Sequence, residues 1–198
     1  MFVTFEGIDG SGKSTQAVLL AERWRAAGRD VLLTREPGGT PLGEEIRALV
    51  LHGDHVAPWA EAALYAASRG QHVEQVIRPA LARGATVVCD RYLDSSVAYQ
   101  GGGRALGVDA VLELNLAVVG GLLPDTTFLI VVPAEEAIRR AGDTPDRIER
   151  ESLDFHRRVA DAYDELVARD PGRFVVLDGT QPVALLAQEV EDALRVRA

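Results

Sequence analysis

Residues 7–14 read Gly-Ile-Asp-Gly-Ser-Gly-Lys-Ser, with Thr15 next, and no other stretch restricts the fold of this chain so tightly. They fit the pattern G-x-x-x-x-G-K-[ST], between an apolar run at 2–5 and a stretch expected as helix from about Ser14 toward Ala27. Successive N–H groups of such a turn face one anion, and the helix that follows adds roughly half a positive charge at its start. A polyphosphate fits there, with the Ser14 hydroxyl available to Mg2+. Lys13 is the single lysine among 21 basic residues, the other twenty being arginine. A compact ammonium on a flexible stem can follow charge as it moves between phosphates, whereas a planar guanidinium is held in one geometry. The loop thus gives a chemical reason for lysine here and nowhere else.

Five short β-rich runs, 2–5, 31–34, 86–89, 128–132 and 174–177, alternate with helix-length amphipathic stretches. The runs are continuously apolar, so both faces of their sheet should be covered. The pattern predicts an α/β, three-layer fold of the P-loop NTPase type, a five-stranded parallel sheet with helices on both faces. At 198 residues this is expected as one domain over 1–198. Open parallel sheets bind ligands at the carboxyl ends of their strands. Three chemically rich segments follow those ends: the glycine loop, Arg-Glu-Pro at 35–37 and Asp-Arg-Tyr at 90–92. Glycine-bearing stretches at 100–104 and 141–147 are expected as loops. The second lies between helical stretches at 134–140 and 149–169, where a small lid of about 139–150 is expected.

With 47% hydrophobic and 26% charged residues and no apolar run near eighteen, the chain reads as globular and not membrane-spanning. Its opening residues enter a strand without a cationic region or cleavage site, so the cytoplasm is the expected location. A net charge of −9 argues against nucleic-acid binding, which needs a basic surface, so any anion site must be built locally. Cys89 sits in an apolar run and is expected as a buried small hydrophobe. His52, His55, His72 and His156 show no metal-ligand spacing beyond one i,i+3 pair and are expected at solvated helix positions.

The loop by itself leaves kinase, switch GTPase and motor-type ATPase open. A single lysine, preceded by glycine, excludes the N-K-x-D guanine motif, and an ABC-type ATPase needs a longer chain. Arg35, Arg69 and Arg91 stand beside turn or helix-start signals, Arg35 and Arg91 at strand ends. Bringing two phosphates within about 4 Å opposes like charges at on the order of 4 kcal/mol per unit pair at an effective dielectric of 20, so several fixed cations are required. A phosphate monoester is largely dianionic at pH 7 and attacks without a general base. Positioning and charge neutralisation are what remains, as phosphoryl transfer normally requires.

The segments FEGIDGSGKST, TREPGGTPLGE, DRYLDSSVAYQGGGR and DRIERES closely resemble, in order and over essentially the whole chain, the thymidylate kinases, which phosphorylate dTMP with ATP. The resemblance implies ATP on Gly7, Ile8, Asp9, Gly10, Ser11, Gly12, Lys13, Ser14 and Thr15, with Ser14, Asp9 and Asp90 about Mg2+. It implies that Asp9 holds the acceptor's 3′-hydroxyl and that Arg35 and Arg91 hold its phosphate. Arg69 then corresponds to the arginine on thymine O4, Ser96 to a polar contact near N3, and Tyr99 to the tyrosine that crowds the 2′ position. Tyr65 replaces the usual stacking phenylalanine, and Glu36, Pro37, Ser95 and Gln100 complete the acceptor site. A homodimer packed through helices is implied as well.

Members of that family carry a transition-state arginine in the loop or in the lid. The variable loop positions here are Ile8, Asp9, Gly10 and Ser11, so the lid is expected to supply it. Of Arg139, Arg140, Arg147 and Arg150, the candidates are Arg140 and Arg147, which join Lys13, Asp9 and Arg91 as expected catalytic residues. Ile130 stands where relatives often carry aspartate in an L-D-V-x-P pattern. Two other readings stay open: a different nucleotide or deoxynucleoside kinase on the same scaffold, and a nucleotide-dependent binding module without transfer.

Overall fold

The structure is a computed structural model that describes residues 1–140 and 146–197. In chain order the first half contains β1 (Phe2–Glu6), α1 (Lys13–Ala26), β2 (Val31–Arg35), α2 (Pro41–His52), α3 (Pro58–His72), α4 (Arg78–Ala82) and β3 (Thr86–Asp90). The second half contains α5 (Leu93–Ser96), α6 (Val108–Val119), β4 (Thr126–Val131), α7 (Ala134–Arg140), α8 (Leu153–Arg169), β5 (Phe174–Asp178) and α9 (Val183–Arg197). The strands form one parallel sheet in the order β2-β3-β1-β4-β5, as the apolar runs predict.

All five residues of β1 are buried, and their alternation assigns them to two cores. Val3 and Phe5 join Leu20, Trp24, Leu186 and Val190 on the α1 and α9 face, where Phe5 stacks on Phe128 at 5.2 Å. Phe2 joins the opposite core with Tyr92, Phe155 and Val159, meeting the Tyr92 ring edge-on at 5.0 Å. Each fully buried side chain of this size contributes about 1.5–3 kcal/mol. By the same parity Glu6 shares the face of Phe2.

Helix starts differ in a telling way. Thr40 caps α2 by accepting from the Gly43 N–H at 3.0 Å, and Ser152 caps α8 by accepting from Phe155 N–H at 3.2 Å. α1 has neither a capping side chain nor an acidic residue in its first turn. Its first N–H groups and dipole end are therefore left to an anion.

Three expectations change. β4 covers 126–131 instead of 128–132, and α8 begins at Leu153 instead of 149, the residues before Ser152 being turns. The stretch 100–104 is not a loop: Val97–Gly103 continues α5 in wide i→i+5 turns and is mostly buried. Its glycines permit this, because a Cβ on Gly102 would stand 2.6 Å from that of Ala162, and one on Gly103 2.6 Å from the Phe155 ring. Of the expected lid, residues 141–145 lie outside the described residues. Among the described residues no helix is long and apolar enough to cross a membrane.

The close approach of Gly103 to α8 makes a direct prediction. Gly103→Ala is expected to lower unfolding free energy by about 1–3 kcal/mol, the usual loss on overpacking. Urea denaturation at unchanged slope checks it; an unaltered midpoint would show that the segment can back away from α8.

Candidate active site

Strand register sets the geometry. Phe5 pairs with Asp90, so β1 and β3 end level and the loop after β1 stands beside Arg91. The Arg91 N–H donates to Phe5 O at 2.9 Å, and the residue takes a left-handed φ of 68°, strained for any side chain but glycine. Its guanidinium donates through Nη1 to Gly7 O at 3.0 Å and Ser95 Oγ at 2.9 Å, and through Nη2 to Asp9 Oδ1 at 2.5 Å. Gly7 has a φ of +136°, and a Cβ there would lie 2.4 Å from Ile130 O, so only glycine fits this turn.

Asp9 accepts from Lys13 Nζ at 3.4 Å and from the Tyr99 hydroxyl at 3.1 Å as well. Burial works to raise its carboxyl, but the Arg91 and Lys13 cations prevail and hold it well below the usual range. Lys13 is pushed down by burial and by Arg91, against the opposing pull of Asp9 and Asp90, and its ammonium also donates to Ile8 O at 3.1 Å. The Ser14 hydroxyl donates to Asp90 Oδ2, and Asp90 Oδ1 is buried without a partner among the described residues. This pair of oxygen donors fits a hard divalent cation. Asp9, expected beside them, lines the same cavity as Ser14 and Asp90 while also accepting from Arg91, Lys13 and Tyr99.

A cavity opens beside Arg91. Asp9, Glu36, Pro37, Tyr65 and Arg69 line it, together with Arg91, Ser95, Ser96, Tyr99 and Gln100, so the expected acceptor residues come together apart from Arg35. Arg35 lines the adjoining cavity with Lys13, Ser14 and Asp90, about half exposed and paired with Glu44 at 2.9 Å. An exposed pair of this kind is worth at most about 1 kcal/mol. Arg47, Leu51, Asp146 and Ile148 also line the acceptor cavity and carried no signal in the sequence.

Arg69 is buried and donates to Glu36 Oε2 at 2.7 Å, Ser96 Oγ at 3.0 Å, Tyr92 O at 3.0 Å and Asn115 Oδ1. Four of its five N–H groups are thereby engaged among the described residues, which leaves one on Nη2 for a ligand. His72 corrects an expectation: it is fully buried, pairing with Glu36 Oε1 at 2.9 Å and Thr34 Oγ1 at 2.7 Å. Glu36, His72 and Cys89 bring ligand-type atoms within 4.8 Å of one another, but the oxygens and nitrogens belong to the network that holds Arg69. Cys89 is buried as expected, with its thiol pushed up by burial.

The third cavity holds the phosphate loop from Asp9 to Thr15, with Gln16, Arg140, Glu149, Gly179, Gln181, Val183 and Leu186. Gly7 and Ile8 do not line it; their carbonyls hold Arg91 and Lys13. Arg140 donates to Gly179 O at 2.9 Å and Glu136 at 2.7 Å. Arg147 is not brought beside it, a correction to the expected pair. It donates to Glu61 at 2.6 Å and Val50 O at 2.9 Å and lines neither the loop cavity nor the acceptor cavity. The reason is that Glu61 is fully buried at the start of α3 and needs cations: Arg147, with Arg104 at 3.2 Å, answers its charge.

Comparison with known proteins decides the family. A sequence model of thymidylate kinase matches residues 5–190. The chain belongs to the thymidylate kinase family. It is 52% identical over 194 residues to a thymidylate kinase of Clavibacter sepedonicus, covering 96% of this chain and 92% of the relative. One from Leifsonia xyli subsp. xyli is 55% identical over 196 residues, again covering 96% and 92%. The crystal structure of thymidylate kinase from Ehrlichia chaffeensis matches with a TM-score of 0.84 at 34% identity, covering 98% of each chain.

Two features of this thymidylate kinase family member escaped the sequence reading although the signal was there. The strand-end rule applies to β5 too, and Gly179 and Gln181 follow it directly onto the loop cavity. Glu6, a carboxylate ending a wholly buried strand, accepts from Tyr92 N–H at 2.7 Å, Ser95 Oγ at 2.5 Å and Tyr163 OH at 2.9 Å. Ile130 is a fully buried member of the α1 and α9 core, which explains why an apolar residue is accepted there.

Burial first, and Asp94 second, raise the Glu6 carboxyl from 4.5 to about 7. A proton on Glu6 therefore stabilises the fold fully below the ordinary value, and that contribution is lost as pH rises through the folded one. Asp9 acts in the opposite sense, contributing above its ordinary 3.8 and losing this in acid. The unfolding midpoint of the native chain relative to Glu6→Gln is expected to rise between about pH 8 and about pH 5. A difference independent of pH would show that this carboxyl titrates normally.

Proposed function

We propose that this chain transfers the γ-phosphoryl group of ATP to dTMP, giving ADP and dTDP. The observation that supports this most is the position of Asp9, which borders the loop cavity, the acceptor cavity and the space between them. Donor phosphates lie on the loop N–H groups and Lys13, and the acceptor phosphate meets Arg91, joined by Arg35 once it leaves Glu44. The acceptor is a dianion and needs no base; the oxygen that attacks is its own. Arg91 and Lys13 act by offsetting repulsion as the two phosphates close in line.

The remaining Nη2 hydrogen of Arg69 donates to thymine O4, Ser96 lies near N3, Tyr65 stacks on the base and Tyr99 disfavours a 2′-hydroxyl. Asp9 holds the 3′-hydroxyl. Ser14 and Asp90 hold Mg2+, which when bound supplies charge neutralisation to the donor phosphates. Arg140, which borders the phosphate loop, is the lid-side cation of the transition state, and Arg147 serves there only if released from Glu61. The reading further takes 1–198 as one cytoplasmic domain that works as a homodimer, closing a lid at about 139–150 over the phosphates.

Lys13→Arg is expected to lower kcat by about 10²–10³ with an unchanged circular dichroism spectrum. Near-normal turnover would remove the reason given for the single lysine. Assays over dTMP, dUMP, dCMP, dGMP and thymidine check the acceptor: dTMP is expected to lead, and a preference for thymidine overturns the assignment. Single-turnover mixing of ATP and dTMP separates transfer from binding alone, since a binding module forms no dTDP.

A further inference from the structure

We infer that Glu6 is a positioning residue for the acceptor phosphate, acting through Ser95 to fix the guanidinium of Arg91. The inference rests on the reading that Arg91 holds that phosphate. Ser95 Oγ lies 2.9 Å from Arg91 Nη1 and 2.5 Å from Glu6 Oε2, and Tyr163 OH completes the group at 3.1 Å from Ser95 and 2.9 Å from Glu6.

The direction of the protons follows from chemistry. A carboxylate only accepts, whereas a serine hydroxyl has one hydrogen and two lone pairs. Ionised Glu6 draws the Ser95 and Tyr163 hydrogens toward itself, so a Ser95 lone pair is left facing Arg91 Nη1. Its other oxygen takes the Tyr92 N–H at 2.7 Å, which ties the backbone beside the strained Arg91. A neutral acid or an amide at this position must donate to the same hydroxyls, and the Ser95 hydrogen is then no longer held in one direction.

Burying a carboxylate here is costly, because among the described residues its hydrogen-bond partners, the Tyr92 N–H and the Ser95 and Tyr163 hydroxyls, include no cation. The groups that face it are Arg91 after β3, Cys89 within β3, Tyr163 on α8, and Asp94 on α5, which Arg173 holds at 2.6 Å and 2.9 Å. Arg91 is the cation that reaches it through a single intervening hydroxyl. With its carboxyl raised to about 7 by burial and Asp94, Glu6 passes from neutral to charged near physiological pH, and the hold on Arg91 tightens as pH rises.

The test compares the full-length enzyme with Glu6→Gln, Ser95→Ala, Arg91→Ala and the doubles of Arg91→Ala with each. Glu6→Gln is expected to raise KM for dTMP roughly tenfold, about the loss of one charge-assisted hydrogen bond, with the dissociation constant for ADP unchanged within about twofold. The effect is expected to vanish in the Arg91→Ala background, as for residues acting through one group. The dTMP KM of the native enzyme is expected to fall with rising pH more steeply than that of Glu6→Gln. Equal losses for ADP and dTMP, or full additivity with Arg91→Ala, would indicate a merely structural role and overturn the inference. Loss in Arg91→Ala without loss in Glu6→Gln overturns it alone; no loss in Arg91→Ala overturns the acceptor-phosphate reading and this inference with it. Should Glu6→Gln fail to fold, Ser95→Ala and its double decide.

Discussion

The contact between Arg91 and Asp9 is the point on which the rest of the site is hung. It joins the end of β3 to the loop after β1 at 2.5 Å, and both residues border more than one cavity. Arg91 reaches it from a left-handed backbone conformation, held from behind by Phe5 O, Gly7 O and Ser95. An ion pair so placed is worth less as a source of stability than as a fixed charge at the border of two cavities.

Around that pair the protein handles charge in a consistent way. A chain with a net charge of −9 buries several carboxylates. Glu36 answers Arg69, Glu61 answers Arg104 and Arg147, and Asp94 answers Arg173, each arginine making more than one bond. Planar five-donor groups suit these fixed positions. The ammonium of Lys13, on its flexible stem, lines the loop cavity instead. The arrangement separates cations bound to fully buried acids from those that line the loop and its adjoining cavity, and Arg147 shows how the distinction is drawn by a neighbour, Glu61, and not by the arginine's place in the chain.

Much of the architecture was legible in the amino-acid order. Continuous apolar runs gave five covered parallel strands, and G-x-x-x-x-G-K-S between a strand and a helix gave the anion site, because these follow from local sterics and from periods of two and 3.6 residues. The acceptor residues were legible only through the motifs DRY and REP and the family they resemble. Less visible were the compact helical turns at Val97–Gly103, where glycine signals close packing against Phe155 and Ala162 instead of a loop, and the buried state of His72.

By itself, then, the sequence determined the strands, the phosphate loop, the single lysine and the shortage of any other acid–base apparatus, since each depends on residues adjacent in the chain. The tertiary structure decided the strand order, the level ends of β1 and β3, and which arginines are bound to buried acids and which line the cavities around the loop. Those outcomes depend on partners far apart in sequence, such as Glu61 with Arg147 or Glu6 with Tyr163. Charge and hydrogen bonding act over a few ångströms in space, and only folding sets those distances.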